Sequence, residues 1–235
     1  MSGRRSIRRL DPAPYVTHPP EPMPVEPVIL EGRHVRLEPM RPEHAAALAA
    51  ACADPRMWTY MPLDGSTPGG MAALVAAAVE AAERGTELPF TTFERAGGRV
   101  VGGSRYLSID RLNHRLEIGY TFVAPPWQRT AVNSEAKLLM LGHAFEQLRA
   151  NRVELKTDAL NVQSRTAIEA LGAVFEGIFR NHMITRHGRL RDSAYYSITV
   201  QEWPAVRAGL EARLARHAAR ATEAPRVGQR TATTR

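Results

Sequence analysis

Apolar and polar positions alternate with period two in some stretches of the chain and with a period near 3.6 in others. Residues 34–38 (HVRLE) alternate directly after Gly32 and predict a strand. Pro42 to Ala53 (PEHAAALAAACA) is Ala-rich with Pro and Glu at its start, a helix whose acid lies at the positive end of the dipole. A second helix is expected over 68–84, opened by Pro-Gly-Gly and closed by Gly85. FTTFER and RVVGGSRYLSI flank Gly97-Gly98 and read as a hairpin, and EIGYTFV (117–123) as a further strand. Residues 134–149 place Leu138, Leu141, Phe145 and Leu148 on one helical face. A strand at 153–159 (VELKTDA), a helix at 161–171 and a closing strand at 194–200 (AYYSITV) follow.

A helix between the strands at 117 and 153 implies a crossover, so those two strands are expected to be parallel. The fold class is therefore α/β (α+β): a mixed, mostly antiparallel central sheet with helices on both faces. The ends of the chain break the pattern. Residues 1–27 hold seven prolines, which remove backbone donors and fix φ, so a disordered Pro/Arg-rich lead-in is expected there. From about Arg216 no apolar periodicity remains, and 215–235 reads as a basic disordered tail. The folded unit is then 28–214.

Composition narrows the classes. Hydrophobic residues at 44% suffice for a core, and 23% charged residues argue against wholesale disorder. No run of eighteen apolar residues is present, so no membrane-spanning helix is expected, and the basic start lacks the apolar stretch of a secretory signal. Cys52 is the single cysteine, which rules out an internal disulfide or a Cys-based zinc cluster and fits a reducing cytoplasm. His34, His44, His114, His143, His182 and His187 show no paired-ligand spacing, so no metal is expected. The net charge of +7 resides mainly in the tails: +1 over 1–27, +5 over 213–235 and only +1 between. Nucleic acid is thus an expected partner only through the basic tail. Lysine occurs only at Lys137 and Lys156, a skew that reads as coding bias.

The informative segment is PPWQRTAVNSEAKLLML, between the strand at 117–123 and the helix that follows. A strand–loop–helix junction presents free amides and the positive end of a helix dipole, which suits a diphosphate. Asn133 or Ser134 can cap the helix, with Glu135 in its first turn. An ordinary capped helix would look the same.

Taken with LEGRHVRLEPM, VVGGSRYL, EIGYTFV, NVQSRTAIEALGAVFEGIFRNH and YYSITVQEWPAV, this segment resembles the GNAT superfamily of acetyl-CoA-dependent N-acetyltransferases, in its RimJ/RimL-like branch. The resemblance covers roughly 28–203. The family motif Gln/Arg-x-x-Gly-x-Gly/Ala falls on Gln128, Ala131 and Asn133, so both small positions depart from it. A methyl at 131 is tolerable if φ stays negative.

The resemblance implies acetyl-CoA as cosubstrate, its diphosphate on the amides of Gln128, Arg129, Thr130, Ala131, Val132, Asn133 and Ser134. It implies that strands 117–123 and 153–159 splay around the pantetheine, with an amide near Phe122 or Val123 on the thioester carbonyl. Glu117 would be the general base, Asn161 a pantetheine contact, and Ser164 the donor to the departing thiolate. The tyrosine often used for that last task falls on Ile168. Against these roles stand plain ones: Glu117 paired with Arg105 or Arg115, and Asn161 and Ser164 as a helix cap and first turn. The expected function is acetyl transfer to a primary amine by direct attack, possible acceptors including a protein N-terminus. A homodimer is a further implication of the branch. A catalytically silent CoA-binding module, or a ribosome- or RNA-associated protein using the basic tail, are the alternatives. Cys52 reads as a small buried residue. Trp58, Tyr60 and Met61 could wall the acceptor pocket or pack a loop, and alternation sends Tyr195 and Tyr196 to opposite faces.

Overall fold

A computed structural model of the chain describes residues 21–223. Its centre is an eight-stranded sheet: β1 (Leu30–Glu31), β2 (Val35–Pro39), β3 (Leu88–Glu94), β4 (Val100–Asp110), β5 (Arg115–Val123), β6 (Arg152–Asp158), β7 (Val174–Ile184) and β8 (Leu190–Thr199). The spatial order is β1-β2-β3-β4-β5-β6-β8-β7. Every neighbouring pair is antiparallel except β5 with β6, which is parallel, as the intervening helix requires. The helices are α1 (Ala45–Ala51), α2 (Gly70–Glu83), α3 (Ala131–Gly142), α4 (Val162–Glu169) and α5 (Trp203–Glu223).

Strand alternation divides the core in two. Val101 packs with Phe90, Tyr106, Met140, Leu141 and the α5 residues Trp203, Val206 and Leu210. Its neighbour Val100 packs with Leu48, Trp58, Met71, Leu74 and Phe122, beneath α1 and α2. Glu117 belongs to the α1/α2 face. Its strand neighbour Gly119 stands opposite Arg105, which reaches the Leu74 carbonyl of α2.

Three boundaries differ from the sequence expectation. The folded part already includes 21–27, where Met23 and Val25 are buried and Arg111 donates to both their carbonyls. An extended Pro-rich stretch keeps its carbonyls free, and here one guanidinium collects them; residues 1–20 lie outside the described residues. At the other end α5, a helix the periodicity did not predict, runs from Trp203 past 214 to Glu223, because Ala and Arg favour helix intrinsically even without an apolar stripe; residues 224–235 lie outside the described residues. Helix α3 begins at Ala131, capped by the Thr130 hydroxyl, so neither Asn133 nor Ser134 caps it. It ends at Gly142, followed by a wider π turn over His143–Gln147.

Glu135 does more than complement a dipole. Its carboxylate accepts the amides of Arg33, His34 and Val35 at 2.9, 2.5 and 2.7 Å, locking the β1–β2 turn to α3. Gly32 permits that approach, since a Cβ there would lie 2.5 Å from the Glu135 Cδ.

Candidate active site

The site begins where the parallel pair ends. Strands β5 and β6 are in register only from Arg115–Arg152 to Glu117–Glu154, after which each runs on without the other. Tyr120, at φ +49°, kinks β5, and the β4–β5 register slips between Gly103 and Arg105. Gly102 allows β4 to follow the kink: a Cβ there would sit 2.1 Å from the Phe122 carbonyl oxygen. The result is a gap between β5 and β6.

Glu117 lies at the fork, 3% exposed, and accepts a hydrogen bond from Lys156 Nζ at 2.9 Å. Burial raises its pKa, while the Lys156 ammonium opposes that rise. The partners expected from the sequence are engaged elsewhere. Arg105 pairs with Glu87 at 2.9 Å, and Arg115 with Asp110 and Glu154 at 3.2 and 3.6 Å.

The end of β5 faces the gap with one amide. Ala124 N–H donates to the Val101 carbonyl, so strand alternation turns the N–H and C=O of Val123 away from β4. Gln128 Nε2 takes that carbonyl at 2.9 Å, which leaves the Val123 N–H facing the gap. The same alternation turns the Phe122 N–H toward β4, and its ring packs on Trp58 at 5.1 Å. Of the two positions expected to meet a thioester carbonyl, only Val123 is oriented for it.

At the loop, Thr130 Oγ1 accepts the Val132 amide at 3.3 Å and donates to the Trp127 carbonyl at 2.7 Å. Arg129 adopts φ +60°, whereas Ala131 does not have positive φ, so the missing motif glycine costs no backbone strain. Asn133 Oδ1 is enclosed without a partner. A helix start with free amides and an open strand gap fit the diphosphate and arm of coenzyme A.

Across the gap, Asn161 caps α4, its Oδ1 accepting the Ser164 amide at 3.0 Å. Ser164 is half-buried, and Ile168 is in the core, so α4 brings no phenol there. Tyr196 points into the core and Tyr195 to the Glu117 face, with Lys156 Nζ 5.9 Å from its ring centroid. Trp58 is fully buried and packs its loop, while Tyr60 and Met61 stay partly exposed. Burial pushes the Cys52 thiol up to about 12, which removes a thiolate at neutral pH.

Residues 34–174 match the model of the acetyltransferase (GNAT) domain. The chain belongs to the GNAT acetyltransferase family. This GNAT protein is 34% identical to a GCN5-related N-acetyltransferase from Brucella melitensis of known crystal structure, with a TM-score of 0.75 over 83% of this chain and 88% of that one. It is 27% identical over 175 residues, 74% of its length and 97% of the relative's, to an uncharacterized N-acetyltransferase, p20, of Bacillus licheniformis. YdaF of Bacillus subtilis (strain 168), provisionally named a ribosomal N-acetyltransferase, is 30% identical over 106 residues; that match spans 45% of this chain and 57% of YdaF.

Sequence reasoning missed four residues of the GNAT site and its surroundings: Lys156, Lys137, Arg186 and Arg191. A signal for the first two existed. They are the only lysines in the chain; Lys137 is buried and Lys156 pairs with the buried Glu117. Lys137 Nζ donates to Thr121 Oγ1 at 2.6 Å and Ser104 Oγ at 3.2 Å, bracing the β5 kink from the α3 side. Arg186, in the β7–β8 turn, donates to the carbonyls of Trp58, Met61 and Leu63 and pairs with Asp64 at 2.9 Å. That clamp ties the β7–β8 turn to the α1–α2 loop across the Glu117 face.

Proposed function

We propose that this GNAT protein transfers acetyl from acetyl-CoA to a primary amine by direct attack, with Glu117 as general base. The observation that carries the reading is the position of Glu117, a buried carboxylate at the fork where β5 and β6 part. An ammonium must lose its proton before its nitrogen can attack a carbonyl, and a carboxylate whose pKa burial raises is a stronger base for that proton. Lys156 keeps Glu117 ionised enough to act as a base.

Coenzyme A would lie with its diphosphate on the amides from Arg129 to Ser134 and its arm in the gap beside Asn161. When bound, the cosubstrate supplies the activated acetyl group. The Val123 N–H would stabilise negative charge developing on the carbonyl oxygen as the new C–N bond forms and the C–S bond breaks. Ser164 would return a proton to the departing sulfur. A protein N-terminus is one acceptor class, consistent with the name given to YdaF, and the cytoplasm is the compartment that goes with the reading.

Mass-spectrometric screening of an amine panel with acetyl-CoA tests it. Transfer to an amine is the expected outcome. Tight coenzyme A binding with no transfer to any amine would replace the reading by a silent binding module, which the absence of an α4 phenol favours.

A further inference from the structure

The polar face beside Glu117 holds one enclosed cation whose Nε makes no hydrogen bond. Register places Lys156 opposite Tyr195 and Asp158 opposite Ser193, so these side chains share the face of Glu117, as does Arg191 two residues before Ser193. Two ion pairs account for most of the charge there: Lys156 with Glu117, and Arg189 with Asp158. Arg191 is paired only loosely. Its side chain is only 9% exposed, yet its Nε is enclosed with no hydrogen-bond partner. The nearest carboxylate oxygen, Asp158 Oδ2, stands 4.0 Å away and is already taken by Arg189.

A guanidinium cannot shed its proton, so an enclosed one held only by a 4.0 Å pair with a shared carboxylate favours a closer anion. The surroundings indicate which kind. Phe179 stacks on Tyr195 at 4.3 Å between centroids, and His182 meets both rings edge-on, an aromatic wall suited to a short hydrocarbon segment. The Arg186 clamp ties the β7–β8 turn to the α1–α2 loop. One surplus cation balances one negative charge. A phosphate dianion would need a second, and Lys156 and Arg189 are already committed.

We propose that Arg191 is a carboxylate subsite of the acceptor cleft, and that the amine acetylated here carries its own carboxylate a few bonds from the nucleophilic nitrogen. This rests on reading the Glu117 cleft as the site of acetyl transfer. The carboxylate can belong to a free amino acid or to an acidic residue at the start of a polypeptide.

Two matched acceptor comparisons test the proposal: an amino acid against its carboxamide, and a peptide beginning with Asp or Glu against one beginning with Asn or Gln. The carboxylate member of one comparison is expected to show a kcat/KM higher by about tenfold or more, carried by KM, the scale of a charge-assisted contact. Whichever comparison shows the ratio identifies the source. In Arg191→Gln the ratio should collapse toward one, and Arg191→Lys should restore part of it. Equal rates within both comparisons in the native protein, or a ratio that survives Arg191→Gln, overturns the subsite; the native ratio decides alone if the variant fails to fold. If no amine is acetylated, calorimetry of the same acceptors on the coenzyme A complex takes over. Carboxylate-selective binding that depends on Arg191 would then uphold the subsite and sink the transfer, and carboxylate-blind transfer would do the reverse. Binding of neither member would overturn the subsite.

Discussion

Replacing Lys137 by methionine should alter how stability depends on pH in a way that no surface lysine could. The Lys137 amine is enclosed between α3 and the kinked strands, and burial pulls its pKa from 10.5 to about 7. Between those values the unfolded chain binds a proton at this position that the folded chain does not. Native stability therefore rises with pH across that window, and below about 7 the fold bears the full cost of an enclosed ammonium. The separation corresponds to roughly 5 kcal/mol, at about 1.4 kcal/mol per unit. Methionine removes this cost and forfeits the hydrogen bonds to Thr121 and Ser104, a loss of roughly 1–2 kcal/mol. The two hydroxyls remain bonded to each other at 2.8 Å, so neither is orphaned. Urea titrations of both proteins from about pH 6.5 to about pH 10 would follow the difference, in which all other titrating groups cancel. The variant should be less stable by up to about 1 kcal/mol at the alkaline end and more stable by about 3 kcal/mol near neutrality. A difference that stays flat with pH would refute the reasoning, since it would mean that Lys137 keeps its proton in the fold.

Glu117→Gln should lower turnover about 10²- to 10⁴-fold and abolish the acidic limb of the pH–rate profile, because the base is the deprotonated form of a carboxyl whose pKa is raised. Stopped assays across pH, with melting measured on the same sample, separate this from a stability effect. Ala131→Asp should weaken coenzyme A binding by roughly 1–3 kcal/mol in calorimetry, since it sets a negative charge in the first turn of α3 facing a diphosphate; unchanged affinity would place the diphosphate elsewhere. Ser164→Ala should slow transfer while leaving α4 intact, because only the Ser164 backbone amide takes part in the cap; a full rate would limit Ser164 to a structural position. Glu135→Ala should destabilise the fold by about 2–4 kcal/mol, as one buried and two part-buried amides lose one carboxylate, and a melting curve that hardly moves would contradict the anchor.

The sequence by itself determined the features that depend on neighbours along the chain. Periodicity was enough for β2, β5, β6 and helices α1 to α4, and the helix between β5 and β6 was enough for their parallel pairing. The strand–loop–helix junction before α3 and the cap at Asn161 were legible for the same reason: a few consecutive residues carry them. Local signals were weaker at the boundaries. Thr130 outcompeted Asn133 and Ser134 as a cap because the Trp127 carbonyl holds its hydroxyl in place, and intrinsic propensity carried α5 past the point where apolar spacing fades. The tertiary structure alone decided what meets across the sheet. Whether Glu117 pairs with Arg105, Arg115 or Lys156 is a matter of register: β4 turns Arg105 toward α2, and β6 sets Lys156 within reach. The same register aligns Glu117, Lys156 and Arg191 on one face from three strands far apart in the chain. Desolvation acts only in such packed surroundings, raising Glu117 on that face and lowering Lys137 on the α3 side. A side chain's protonation and its lack of a partner are properties of the enclosed volume around it, and that volume exists only once the strands and helices have packed.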